Sequence, residues 1–155
     1  MTAGILASLG LYGGTLIVAF VAGMLPIVGI EVFLLGIATL YAPSWGQLIA
    51  LVLLAALGHQ IAKTSCYLAG AGAMALPRGK LKQQLDAAVG RIERWNKQPM
   101  LILGLSATVG LPPLYLLSFI ARPLLGIGFW RFTIVVFIGR VLRFGVTTAA
   151  PLLLG

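Results

Sequence analysis

The chain has 155 residues, of which 60% are hydrophobic and only 9% charged, and its mean hydropathy is +1.06. So few charges cannot cover a soluble domain of this length, which leaves an all-α, multi-pass integral membrane protein of one domain. The net charge of +8 does not imply nucleic acid, because most of it lies in one loop or within apolar segments. A single cysteine, Cys66, excludes an intrachain disulfide. Met1 to Ala3 carries no basic residue, so the first apolar run is expected to be a retained span rather than a cleaved leader.

Four apolar tracts follow in chain order. The first runs from about Ile5 to Leu25. Its Gly10, Gly13 and Gly14 predict close helix packing, with dimerisation as the alternative. The second, Ile27 to Tyr41, is too short for a comfortable span and begins at the breakers Pro26 and Gly29. It carries Glu31, the only carboxylate outside one short polar loop. The third runs from Leu48 to about Ala75 and holds His59 and Lys63. The last, Met100 to Gly155, is interrupted by Pro112-Pro113 and Arg122-Pro123. Two broken, re-entrant segments are predicted, Met24–Pro43 and Leu103–Pro123, because irregular backbone at membrane depth survives only inside protein or beside a wet cavity. The alternative is two kinked spanning helices.

The polar loop sets the orientation. Arg78, Lys80, Lys82, Arg91, Arg94 and Lys97 face only Asp86 and Glu93 there, which places residues 78–97 in the cytoplasm by the positive-inside rule. Leu81, Leu85, Ala88, Val89, Ile92 and Trp95 recur at spacings of three and four, so residues 77–98 read as an amphipathic helix lying in the interface. Its simplest role is an anchored connector. The first re-entrant segment then enters from outside and the second from inside.

A weak internal repeat fits that topology. Gly23-Met24-Leu25-Pro26 pairs with Gly110-Leu111-Pro112-Pro113, and Pro43-Ser44-Trp45 pairs with Gly128-Phe129-Trp130. Gly58 with Lys63 then pairs with Gly139, Arg140 and Arg143. Inverted repeats with broken helices are a transporter design.

The charges at membrane depth are Glu31, Lys63, Arg122, Arg140 and Arg143, with His59 beside Lys63 in sequence. An ionisable side chain there is costly and normally faces a cavity or a partner charge. One acid cannot neutralise four cations, so several must snorkel, face water or meet an anionic ligand. Arg140 and Arg143 are three apart on one helix face; both turned inward they suit phosphate, and otherwise they mark the edge of the last helix. Glu31 is either one half of a structural ion pair or a proton carrier. His59 has a suitable pKa for the same task, although a lone histidine on an apolar helix is more often packing. Cofactors, metals and catalysis are not expected: one Cys and one His make no metal motif, no phosphate loop is present, and no serine has a base and acid partner.

The run Leu25-Pro26-Ile27-Val28-Gly29-Ile30-Glu31-Val32-Phe33-Leu34 resembles the first re-entrant motif of the DedA/VTT (SNARE-associated Golgi) superfamily. Residues from Leu57 through Lys63 to Tyr67 and Gly70 resemble its glycine-rich helix, and Leu111-Pro112-Pro113 through Phe144 its second half, nearest the short YqaA-like branch. The resemblance covers roughly Gly23 to Phe144. It implies two facing re-entrant hairpins and movement of lipids between leaflets, with phospholipid or undecaprenyl phosphate as the partner, proton coupling through Glu31, and a bacterial inner membrane as the location. Lys63 and Ala62 stand where the family has an acid or amide and a glycine. Tyr115 or Leu116 stands where it has an arginine, with Arg122 as the candidate replacement.

The expected function is therefore a lipid or lipid-phosphate translocase of flippase or scramblase type. Glu31, Lys63 and His59 would couple or gate; Arg122, Arg140 and Arg143 would meet the phosphate. The alternatives are a proton-coupled exporter of small solutes or drugs, and a membrane assembly factor that transports nothing. A homo-oligomer is one way for so few spans to enclose a pathway.

Overall fold

The computed structural model describes residues 2–25, 29–41, 43–72, 98–111 and 113–154, with Gln83 and Ala87, both helical, between them. Among these residues the chain is all-helical, with no strand. The helices are α1 (Thr2–Met24), α2 (Ile30–Tyr41), α3 (Trp45–Gly72), α4 (Pro99–Thr108), α5 (Leu114–Ile120) and α6 (Phe129–Leu154). The breakers Pro26 and Pro112, and the predicted amphipathic helix apart from Gln83, Ala87 and Gln98, lie outside the described residues.

Among the described residues, two helices are long and apolar enough to cross a membrane: α3, and α6 over Phe129–Ala150. At 1.5 Å per residue a span needs about 20 residues. α2 has 12, α4 has 10 and α5 has 7, so none of these reaches that length.

Local chemistry explains where the helices start and stop. Ser44 and Gln47 form a capping box at the start of α3: the Ser44 amide donates to Gln47 Oε1 at 3.0 Å, and the Gln47 amide to Ser44 Oγ at 3.5 Å. α4 ends on Gly110, whose φ of 90° is left-handed and whose amide donates to the Ser106 carbonyl at 3.1 Å. Pro113 then caps α5 and accepts from the Leu116 amide at 3.1 Å. The second break therefore falls at Val109–Pro113. Leu103 lies within α4, which continues through Gly104 to Thr108.

The helices sort into two compact units. The first comprises Met1–Ala62 and Arg140–Gly155, the second Lys63–Gly139. In the second unit, Tyr67, Leu103, Leu117, Phe132 and Val136 form the centre of an apolar core. Tyr67 stacks on Phe132 at 4.7 Å, and its hydroxyl donates to the Ile127 carbonyl at 2.8 Å. Buried hydroxyls elsewhere fold back on their own helix: Thr15 donates to the Leu11 carbonyl, Ser118 to Leu114 and Thr148 to Phe144.

Among the described residues, close helix packing is not at the glycines the sequence pointed to. A Cβ at Gly10, Gly13 or Gly14 would meet nothing within 4 Å among the described residues. The tight approaches lie elsewhere. In the first unit, a Cβ on Gly58 would lie 2.5 Å from the Leu16 carbonyl oxygen, and one on Gly23 would lie 2.6 Å from Ala62 Cβ. In the second, a Cβ on Gly139 would lie 2.5 Å from Ala107 Cβ, and one on Gly70 would collide with the Phe119 carbonyl. Glycine spacing alone identifies small surfaces; only the fold decides which are used.

Gly58→Ala is accordingly expected to lower unfolding free energy by about 1–3 kcal/mol, since a backbone carbonyl must move. Gly14→Ala should raise it by up to about 1 kcal/mol through helix propensity. Denaturant unfolding of the two variants side by side checks the pair, and equal effects would refute the packing assignment.

Candidate functional site

Glu31 occupies the first turn of α2. Gly29 precedes the helix and accepts from the Val32 amide at 3.2 Å. The start of a helix favours negative charge, so the break at Gly29 supplies a positive dipole end for the carboxylate. The Arg143 Nε–H donates to Glu31 Oε1 at 2.7 Å. Both side chains keep about a quarter of their surface exposed, at 27% and 24%. This is a short, charge-assisted contact.

Arg140 stands one turn before Arg143 on α6, but in a different environment. It is only 6% exposed, and its Nε has no hydrogen-bond partner among the described residues. Its guanidinium carbon lies 5.8 Å from the centre of the Phe144 ring, at the outer range of a cation–π contact. Glu31 and Arg143 both lie within electrostatic reach of it, one attracting and one repelling. Phe144 also meets His59 of α3 edge-on, with ring centres 5.8 Å apart. His59 and its neighbour Gln60 are buried.

The first unit thus brings together Glu31, His59, Arg140 and Arg143 from three helices. His59 lies near the middle of α3, and Arg140 and Arg143 near the middle of α6. Lys63 and Arg122 belong to the second unit. Lys63 is buried, and Arg122 is exposed in the turn after α5. Pro113 serves as the α5 cap and Gly29 as the entry to α2. Phe144 is the member that the sequence reading did not single out. The available signal was its place four residues after Arg140, where a ring can lie along a cation on the same helix face.

Each of the two longest helices carries an exposed apolar ridge. On α3, Trp45, Ile49, Leu53, Leu57 and Ile61 recur every four residues and are 44–57% exposed. On α6, Trp130, Ile134, Ile138, Leu142 and Val146 do the same at 53–73%. Each ladder begins with a tryptophan, the residue that favours a membrane–water boundary. Such continuous exposed ridges are rare on soluble monomers.

Comparison of the chain with protein-family models, with curated proteins and with solved structures finds no match.

Proposed function

We propose that this chain is a multi-pass membrane protein that moves a lipid or lipid phosphate between leaflets. The observation that carries the reading is the Glu31–Arg143 pair with buried Arg140 beside it, both arginines near the middle of α6, whose outer ridge is apolar. Charges at that depth are expensive and are retained for substrate or ion handling. Two guanidiniums on one helix face suit a phosphate, and Glu31 is the gating or proton-coupling group. The short α2, α4 and α5 fit broken re-entrant segments, since none is long enough to span. Support for an inverted repeat comes from Gly58 and Gly139. Each lies in the helix after a broken segment and packs on the helix before it, Gly58 on α1 and Gly139 on α4. The resemblance to the DedA/VTT superfamily points the same way, with the basic stretch 78–97 cytoplasmic and a bacterial inner membrane as the location.

The test is transbilayer movement of labelled undecaprenyl phosphate and phospholipid in liposomes holding the purified protein. Wild type is expected to move at least one of them. Glu31→Gln and Arg140→Gln, shown to be folded, are expected to slow that movement tenfold or more, about the weight of one charge-assisted contact. Movement that follows a pH gradient through Glu31 marks a coupled translocase, and movement that ignores it marks a scramblase. No movement of either lipid by folded wild type overturns the reading.

A further inference from the structure

Arg140 sets a physical problem. It is buried, its Nε lacks a hydrogen-bond partner among the described residues, and its neighbour Arg143 bears the same charge. The one carboxylate in the cluster is already held by Arg143 at 2.7 Å. Two guanidiniums therefore face one anion, and the member without it is the more buried of the two. A phosphate group resolves the imbalance. It offers several acceptor oxygens to both arginines, which lie three residues apart on one face of α6. Arg143 cannot use its Nε–H for both the phosphate and Glu31.

We infer that Glu31 is an internal stand-in for the ligand: a phosphate group bound by Arg140 and Arg143 displaces the Glu31 carboxylate from Arg143, so the protein's own acid competes with its substrate. The inference rests on the reading of this site as one for lipid phosphate, and adds to it a role for Glu31 opposite to that of a binding residue. Removing the charge of Glu31 tightens binding instead of weakening it. It also supplies a reason for release: the carboxylate returns to Arg143 as the ligand leaves, so neither state leaves that cation bare. The geometry suits such an exchange, because both partners of the pair are a quarter exposed and can part without unpacking the core.

The test is equilibrium binding to purified full-length protein in detergent. The probes are radiolabelled inorganic phosphate, a short-chain phosphatidic acid and, as a zwitterionic control, a short-chain phosphatidylcholine. Glu31→Gln keeps size and a carbonyl acceptor but loses the charge. It is expected to bind phosphatidic acid about tenfold more tightly than wild type, the factor one surrendered charge-assisted hydrogen bond is worth. Arg140→Gln, alone and combined with Glu31→Gln, should lose that binding. A matching gain for inorganic phosphate supports the competition with a soluble anion as ligand, and a gain confined to phosphatidic acid supports it with a lipid headgroup. Folded Glu31→Gln that binds no more tightly than wild type overturns the inference, while wild-type binding that needs Arg140 leaves the translocase reading standing. Absence of binding to both wild type and Glu31→Gln overturns the two together. A second measurement avoids altering Glu31. The chain has two glutamates, so in Glu93→Gln the only one is Glu31. Infrared spectra of that variant with labelled glutamate should show a carboxylate shift when phosphatidic acid binds, and an unchanged band in the bound protein refutes the displacement.

Discussion

Glu31→Leu is expected to lower the unfolding free energy by about 2 kcal/mol, between the scale of an exposed ion pair and that of a fully buried one. The loss has two sources. Arg143 is left without its acceptor, and Arg140 and Arg143, one turn apart, then repel with nothing between them. Arg143→Leu should cost less, because Arg140 lies within electrostatic reach of Glu31 and can take over part of the pairing. The double variant Glu31→Leu/Arg143→Leu should recover much of the loss, since it removes the pair as a unit. Denaturant unfolding in a fixed detergent gives all three values. The signature is their order, with Glu31→Leu the least stable. If Arg143→Leu proves the worst, Glu31 is bound to Arg143 alone and Arg140 does not share the charge. Added phosphate should stabilise Glu31→Leu more than wild type, because a ligand that binds the folded state raises stability by mass action. An assembly factor that carries no anion predicts no such difference.

The helical layout was largely legible in the sequence because hydropathy and breakers report local physics. The tracts starting near Ile5, Ile27 and Leu48 correspond to α1, α2 and α3 within a few residues, and the tract from Met100 onward divides into α4, α5 and α6. Pro43-Ser44 and Gly110 mark real helix ends, since a capping box and a left-handed glycine act within one turn. Leu103, where the second broken segment was expected to start, lies inside α4, and an apolar run reads the same within that helix as beyond it. The glycines show the opposite limit. Gly10, Gly13 and Gly14 look like a packing surface, yet a Cβ there would meet nothing within 4 Å among the described residues, while Gly58 and Gly139 are used. Which small residue is covered depends on the neighbour across the interface, and no local pattern encodes that.

The candidate site was legible in part of its membership, since Lys63 and Arg122 fall in the other unit, and not in its wiring. Rarity alone picked out Glu31, His59, Arg140 and Arg143, because few charges sit among so many apolar residues. That Glu31 takes Arg143 rather than another cation is a long-range contact. The unequal burial of Arg140 and Arg143 follows from where α6 meets its neighbours, which spacing of three cannot reveal. Tyr67 and Gly70, quoted in the family resemblance, have a packing explanation instead: the first holds the Ile127 carbonyl and the second lets α3 approach Phe119. Part of the resemblance is thus carried by residues that build the core and part by residues that build the site.

Arg140→Met separates those two roles by the sign of its effect. A buried cation whose Nε has no hydrogen-bond partner among the described residues, beside a like charge, is a net cost to the fold, which a flexible apolar side chain removes. The variant loses the contact with Phe144, but methionine sulfur also packs well on a ring. Stability is therefore expected to rise by about 1–2 kcal/mol, while lipid movement falls to the level of empty liposomes. Residues kept for packing do not behave this way; Gly58→Ala should lose stability, and any loss of transport should track the loss of folded protein. Unfolding and flux measured on the same Arg140→Met preparation decide the matter. A variant that is less stable than wild type would mean that Arg140 is a structural cation already satisfied in place, and its link to phosphate would fall. A variant that is more stable and inactive would place Arg140 among the groups that a protein maintains against its own stability because the substrate needs them.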